Sequence, residues 1–124
     1  MKEFAIKENH LFVKAYTNGK RYVTETVTVY LLKDLKAGRL RRENPNKEFL
    51  NRIGFTATTK LGHAVVRNRA KRVMREAYRE IICQRPIKTG NLIVISARDK
   101  IKEANTGTVK KDLSRAFGKL ELYK

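Results

Sequence analysis

The alternation of apolar and polar positions changes period along this 124-residue chain, and each change marks an element. Lys60 to Arg79, KLGHAVVRNRAKRVMREAYR, carries the clearest helical pattern. At about 100° per residue, Val66, Ala70, Val73, Met74, Ala77 and the following Ile81 share one arc. Arg67, Asn68, Lys71, Arg72, Arg75 and Arg79 are assigned to the opposite arc. The helix should fade by Gln84, before Arg85-Pro86 and a turn at Thr89-Gly90. Lys60 to His63 reads as a short loop in which Gly62 supplies backbone freedom.

Upstream, Asn9 is a candidate N-cap, and Asn18-Gly19 a stop with glycine as the left-handed residue past the end. Between them Phe12 and Tyr16, four apart, share a face, which suits either core packing or an exposed aromatic pair. Tyr22 to Leu32 alternates and is rich in β-branched residues, predicting one long strand. Val23, Val27, Val29 and Leu31 form its expected core face. Thr24, Thr26, Thr28 and Tyr30 form a partly wet one, with Tyr30 a candidate for stacking. Lys33 to Lys47, with Gly38 and Pro45, reads as a long, mobile hairpin connection.

Arg52 to Thr59 resumes the alternation with Ile53, Phe55 and Ala57 inward. Leu92 to Arg98 is apolar on both faces, as an interior strand should be. Val109, Leu113, Ala116, Phe117 and Leu120 predict a last helix, capped by Thr106 or Thr108, with Lys110, Lys111, Arg115 and Lys119 turned away. The order is helix, strands, helix, strand, helix in a single domain over residues 1–124, an α+β fold of the α-β sandwich kind. If its strands are parallel, the unit from Arg52 to Arg98 would cross over right-handed by the general rule.

Charge changes the picture. The formal net charge is +17, from 29 basic and 12 acidic residues. Lys60 to Arg79 alone holds seven Lys or Arg residues and one acid, Glu76. Arg67–Lys71, Lys71–Arg75 and Arg75–Arg79 are like charges four apart, each costing an exposed helix roughly 0.2–0.5 kcal/mol. A face that accepts this cost calls for a polyanion.

Nucleic acid is the polyanion that fits. The longest apolar runs, Val29 to Leu32 and Leu92 to Ile95, are far shorter than the roughly 18 residues of a membrane span, and MKEFAIKENH lacks a signal-peptide core. Cys83 stands alone beside Ile81 and Ile82, which suggests a buried thiol in a reducing cytoplasm. His10 and His63 have no metal-spaced partners. No phosphate-binding glycine loop or acidic metal cluster is present, so no catalytic residue, metal ligand or organic cofactor is expected in the polypeptide. Specific duplex-DNA readout is disfavoured by the lack of a helix-turn-helix or zinc finger. Aromatics beside a sheet favour RNA with accessible bases.

The basic stretch closely resembles the signature of the bacterial ribonuclease P protein subunit, a run of the type Lys-x-x-Gly-x-Ala-Val-x-Arg-Asn-Arg-x-Lys-Arg followed by Arg. Gly62, Ala64, Val65, Arg67, Asn68, Arg69, Lys71, Arg72 and Arg75 match. The likeness extends through Phe12 and Tyr16, the strand with Tyr30, RIGFTAT and the final LYK. It implies a protein that binds a large catalytic RNA, within a ribonucleoprotein that removes the 5′ leader of precursor tRNA by Mg²⁺-dependent hydrolysis. Catalysis and most Mg²⁺ binding would lie in the RNA.

By resemblance, Lys60, Arg67, Asn68, Arg69, Lys71, Arg72, Arg75 and Arg79 face the RNA subunit, and Phe12, Tyr16 and Tyr30 hold the precursor tRNA leader. The family also implies a left-handed crossover where the general rule gives a right-handed one. His63 stands where the pattern commonly has Asn, Thr59 where it often has Lys, and the Lys33 to Asn51 connection is long. The competing readings are a general RNA-binding or ribosome-associated protein and a nuclease that acts without RNA.

Overall fold

A computed structural model describes residues 4–5, 9–33, 51–88 and 90–123. Its β-branched and aliphatic stretches form a sheet of order β1-β4-β5-β3-β2. The strands are β1 (Phe4–Ala5), β2 (Lys20–Val23), β3 (Val27–Lys33), β4 (Arg52–Thr56) and β5 (Asn91–Ala97). β5 runs through the middle, parallel to β4 and antiparallel to β3. The apolar run expected to be interior is therefore interior. Leu92 and Val94 are buried on one face, Ile93 and Ile95 on the other.

Helices cover both faces. α1 (Asn9–Asn18) sets Ala15 and Phe12 against Leu92, Val94, Tyr30 and Leu32. α2 (Ala64–Gln84) and α3 (Thr106–Lys119) cover the opposite face. There Ala70, Val73, Met74, Ala77, Tyr78 and Ile81 meet Val109, Leu113, Ala116 and Phe117 over Val27, Val29, Ile53, Ile93 and Ile95. Each fully buried Val, Leu, Ile, Met or Phe contributes roughly 1.5–3 kcal/mol, so this larger core dominates stability. An edge-to-face series Phe55–Tyr78–Phe117–Tyr123, with centroids 6.0, 6.1 and 6.1 Å apart, runs through it. The α-β sandwich and the order of its principal elements are those expected, with the short β1 added.

Several local expectations are overturned. Tyr22 to Leu32 is not one strand: it folds back at residues 24–26, so that β2 and β3 pair antiparallel. Thr24, with its N–H and hydroxyl, bonds the Val27 carbonyl and accepts from the Val27 N–H. Asp112 of α3 accepts from both the N–H and the hydroxyl of Thr26, while the Arg98 guanidinium donates to the Thr24 carbonyl. Thr24, Thr26 and Thr28 are consequently buried, not wet, and Val23 leaves the core face and is 48% exposed. Replacing Asp112 by Asn should lower unfolding free energy by about 1 kcal/mol, since a charge-assisted acceptor of two bonds becomes neutral. Urea denaturation checks this, and an unchanged midpoint would remove Asp112 from the turn's support.

The Lys33 to Lys47 stretch does not close a hairpin, because β5 lies between β3 and β4; beyond Lys33 it falls outside the described residues. Gly19 is not left-handed. It is required instead by proximity, since a Cβ there would lie 2.5 Å from the Ala15 carbonyl oxygen. Asn105, not Thr106 or Thr108, caps α3 by accepting from the Thr108 N–H at 2.9 Å. Cys83 is exposed, not buried.

α3 ends in a Schellman turn, with Leu122 N–H donating to the Phe117 carbonyl at 2.9 Å and Glu121 N–H to that of Gly118 at 3.2 Å. Glu121 holds φ 57° there, a conformation that disfavours residues with a Cβ. Glu121→Gly should raise stability by about 0.5 kcal/mol after the entropy that glycine adds to the unfolded chain. A thermal midpoint a degree or two higher is the expected reading, and a lower one would count against strain at this site.

Candidate nucleic-acid interface

The basic helix enters through a 3₁₀ turn, Thr59–Leu61, on which Lys60 is exposed. Gly62 follows at φ 149°, and a Cβ there would come within 3.3 Å of the Val66 Cβ, so both conformation and space call for glycine. His63 takes the N-cap position of α2 without a side-chain capping bond. The buried arc of α2 then fixes what faces outward.

Asn68, Arg72, Arg75 and Arg79 form one exposed line, roughly 16 Å long at 1.5 Å per residue. Among the described residues none of the four has a hydrogen bond or ion pair. Arg75 lies over the Phe55 ring of β4, 5.7 Å from its centroid.

The other residues expected on this ridge divide differently. Arg67 and Lys71 are half-buried rather than on the open face, and Arg67 Nε is buried without a hydrogen-bond partner among the described residues. Arg69 turns toward the 3₁₀ turn Asp99–Glu103 and donates to the carbonyls of Ile101 (3.4 Å) and Ala104 (3.0 Å). Glu76, four residues after Arg72, accepts from the Thr106 hydroxyl at 3.3 Å, and Glu80 lies 3.9 Å from Lys110 Nζ. The acids of α2 are thus drawn into its seam with α3. The outward line keeps its positive charge.

The aromatic residues come together on the other face of the sheet. Tyr16 and Tyr30 meet edge to face with centroids 4.8 Å apart and planes at 73°. Tyr16 is 42% exposed, Tyr30 half-buried, and Phe12 packs beneath them against the Ala15, Leu92 and Val94 cluster. Packing and exposure, the two alternatives for the Phe12–Tyr16 pair, are divided between its members. The Tyr16 hydroxyl donates to Thr56 Oγ1 at 3.2 Å. Thr56 was not singled out by sequence, because a threonine in a strand carries no aromatic or charge signal.

β4 joins the two surfaces. Phe55 touches Arg75 on the helical side, and the adjacent Thr56 holds Tyr16 on the other. A ligand on the ridge and a ligand in the aromatic cleft would meet opposite faces of one strand. Among the described residues no three His, Cys, Asp or Glu side chains gather as a metal site. No described helix is long and apolar enough to cross a membrane.

An α-β sandwich with a cationic helix line on one side and an aromatic cleft on the other has the two chemistries, phosphate neutralisation and base stacking, of a basic nucleic-acid-binding class. Comparison with known proteins makes this specific. The Ribonuclease P family model matches residues 1–121. The ribonuclease P protein component of Thermoanaerobacter sp. (strain X514) is 34% identical over 118 residues, covering 95% of this chain and 90% of that protein. That of Oceanobacillus iheyensis is 32% identical over 123 residues, covering 99% and 91%.

Among solved structures, the Thermotoga maritima RNase P protein is 26% identical with a TM-score of 0.64, covering 84% of this chain and 86% of that one. The Staphylococcus aureus RNase P protein shares the fold, with a TM-score of 0.75 at 24% identity over 99% and 100% of the two chains. The chain belongs to the ribonuclease P protein family, whose known role is tRNA 5′ processing.

Proposed function

We propose that this chain is the protein subunit of a cytoplasmic ribonuclease P, binding the catalytic RNA through α2 and the 5′ leader of precursor tRNA in the α1–sheet cleft. The observation that carries this reading is the two-sided site. The Asn68, Arg72, Arg75 and Arg79 line offers phosphate neutralisation, with Arg67, Lys71 and Lys60 at its entry end. The Tyr16–Tyr30 pair offers ring faces and edges to unstacked bases.

Arg69 belongs to this interface in a different sense: its carbonyl bonds hold the residues 101–104 turn against α2. Mg²⁺ and bond cleavage are assigned to the RNA. The protein's part is to raise affinity for leader-bearing substrate and to hold the leader in register with the ridge-bound RNA.

The test is cleavage of precursor tRNA at low Mg²⁺ by purified protein, with and without a bacterial ribonuclease P RNA. Stimulation by protein only when the RNA is present is expected. Cleavage by protein alone would point to an independent nuclease, and no effect in either arm would leave a general RNA-binding or ribosome-associated protein.

A further inference from the structure

α3 carries a second basic line that the α2 ridge does not include. Lys111, Arg115 and Lys119 succeed one another at intervals of four, so they stand on one side of the helix about 6 Å apart along its axis. All three are exposed, opposite the buried Val109, Leu113, Ala116 and Phe117. None has an acidic partner among the described residues. Three nearby acids are engaged elsewhere: Asp112 holds Thr26, while Glu76 and Glu80 lie in the α2–α3 seam with Thr106 and Lys110. The exposed Glu121 past the end of the helix makes no ion pair with Lys119 among the described residues. The acids of α2 lie in the seam, and the two helix flanks are left cationic.

Like charges four apart are mutually repulsive, and none of these three is ion-paired among the described residues. Gly118 lies beside the line with nothing within 4 Å of a Cβ built there, while Ser114 Oγ is 2.9 Å from the hydroxyl of Tyr123, whose ring is covered by Arg85. A backbone could therefore approach closely. No exposed ring accompanies the three cations, in contrast to the α1 cleft, so the chemistry offered is phosphate neutralisation without base stacking.

We infer that Lys111, Arg115 and Lys119 form a second docking line for the RNA subunit, gripping the sugar-phosphate backbone of a double-helical segment while α2 holds another part of that RNA. The assignment rests on the functional reading above. It favours the RNA subunit over the substrate because α2 and α3 form the same layer of the sandwich, whereas the leader cleft opens on the opposite face of the sheet. A rigid line of evenly spaced cations suits the regular backbone of a duplex.

The experiment compares wild-type protein with the triple variant Lys111→Gln, Arg115→Gln, Lys119→Gln in binding to a bacterial ribonuclease P RNA across a KCl series. The expected result is affinity about tenfold weaker at low salt and a log–log salt slope shallower by about 2 to 3, near one per lost phosphate contact. Preference for leader-bearing over mature tRNA by the saturated holoenzyme should be unchanged. If the triple variant melts early, Lys111→Gln and Lys119→Gln alone should each lower the slope by about 1.

An unchanged slope in a folded variant overturns the inference while leaving the α2 reading intact. Loss confined to substrate binding, or to vesicles of anionic phospholipid, overturns it in favour of those surfaces. Failure of the wild-type protein to bind the RNA subunit defeats both the functional reading and this extension of it.

Discussion

Tyr30→Ala should cut the holoenzyme's preference for leader-bearing over mature tRNA by roughly 1–3 kcal/mol, or about 5- to 150-fold, the worth of one base–aromatic stack. Tyr30 is half-buried at the centre of the cleft, and its ring supports Tyr16 at 4.8 Å. The substitution removes one surface and loosens the next. Tyr30→Phe keeps the ring and should retain most of the preference. The measurement is the affinity of the assembled ribonucleoprotein for each substrate. Equal loss for both would trace the effect to a displaced α1, whose Phe12 and Ala15 also rest on Leu32, Leu92 and Val94.

Thr56 provides a finer test of the same cleft. Its Oγ1 on β4 accepts from the hydroxyl of Tyr16 on α1, whose ring stands edge-on to Tyr30 of β3, the next strand but one. Thr56→Val preserves shape and removes that acceptor. A loss of about 0.5–1 kcal/mol in leader preference is expected, with RNA-subunit affinity unaltered. A parallel loss of RNA-subunit affinity would show that β4 is disturbed as a whole.

What was legible in the sequence is what local period and chemistry encode. β5 is apolar on both faces from Leu92 to Ile95, so its interior character followed from composition, though not which strands flank it. The buried arc of α2 followed from spacing, and that spacing carried more than was drawn from it. Arg67 falls between Met74 and Tyr78 on a 100° wheel, so its half-burial was implicit, and charge outweighed angle in assigning it outward. Cys83 falls on the exposed arc of the same wheel, where its neighbours Ile81 and Ile82 suggested burial.

The turn at residues 24–26 was not legible. It lacks glycine or asparagine, and Thr24-Glu25-Thr26 continues a strand-like alternation. Its fold is enforced by Arg98 and Asp112, 74 and 86 residues distant from the positions they bind. The same holds for the placement of β5 between β3 and β4, which no local pattern expresses. The basic side chains of the motif could be listed from sequence, but their division between the open ridge and the residues 101–104 turn depended on which carbonyls Arg69 reaches.

That division leads to a sharper expectation for the ridge. Arg72→Gln, Arg75→Gln and Arg79→Gln together should weaken binding to the ribonuclease P RNA and make the salt slope shallower by about 2 to 3. Arg69→Gln should act differently, because its guanidinium is engaged by the Ile101 and Ala104 carbonyls. It should lower thermal stability and leave the slope nearly unchanged. Salt titrations and thermal melts of both variants separate the roles. A slope change from Arg69→Gln equal to that of one ridge arginine would mean the carbonyl bonds are given up on binding. Arg75 has a further consequence. Since it also covers Phe55, its neutral replacement loses a cation–π contact worth about 0.5–1 kcal/mol at an exposed site. Only that member of the three should show a lower melting temperature in the absence of RNA, which makes the free protein an internal control for which arginines are waiting for phosphate and which already have a partner.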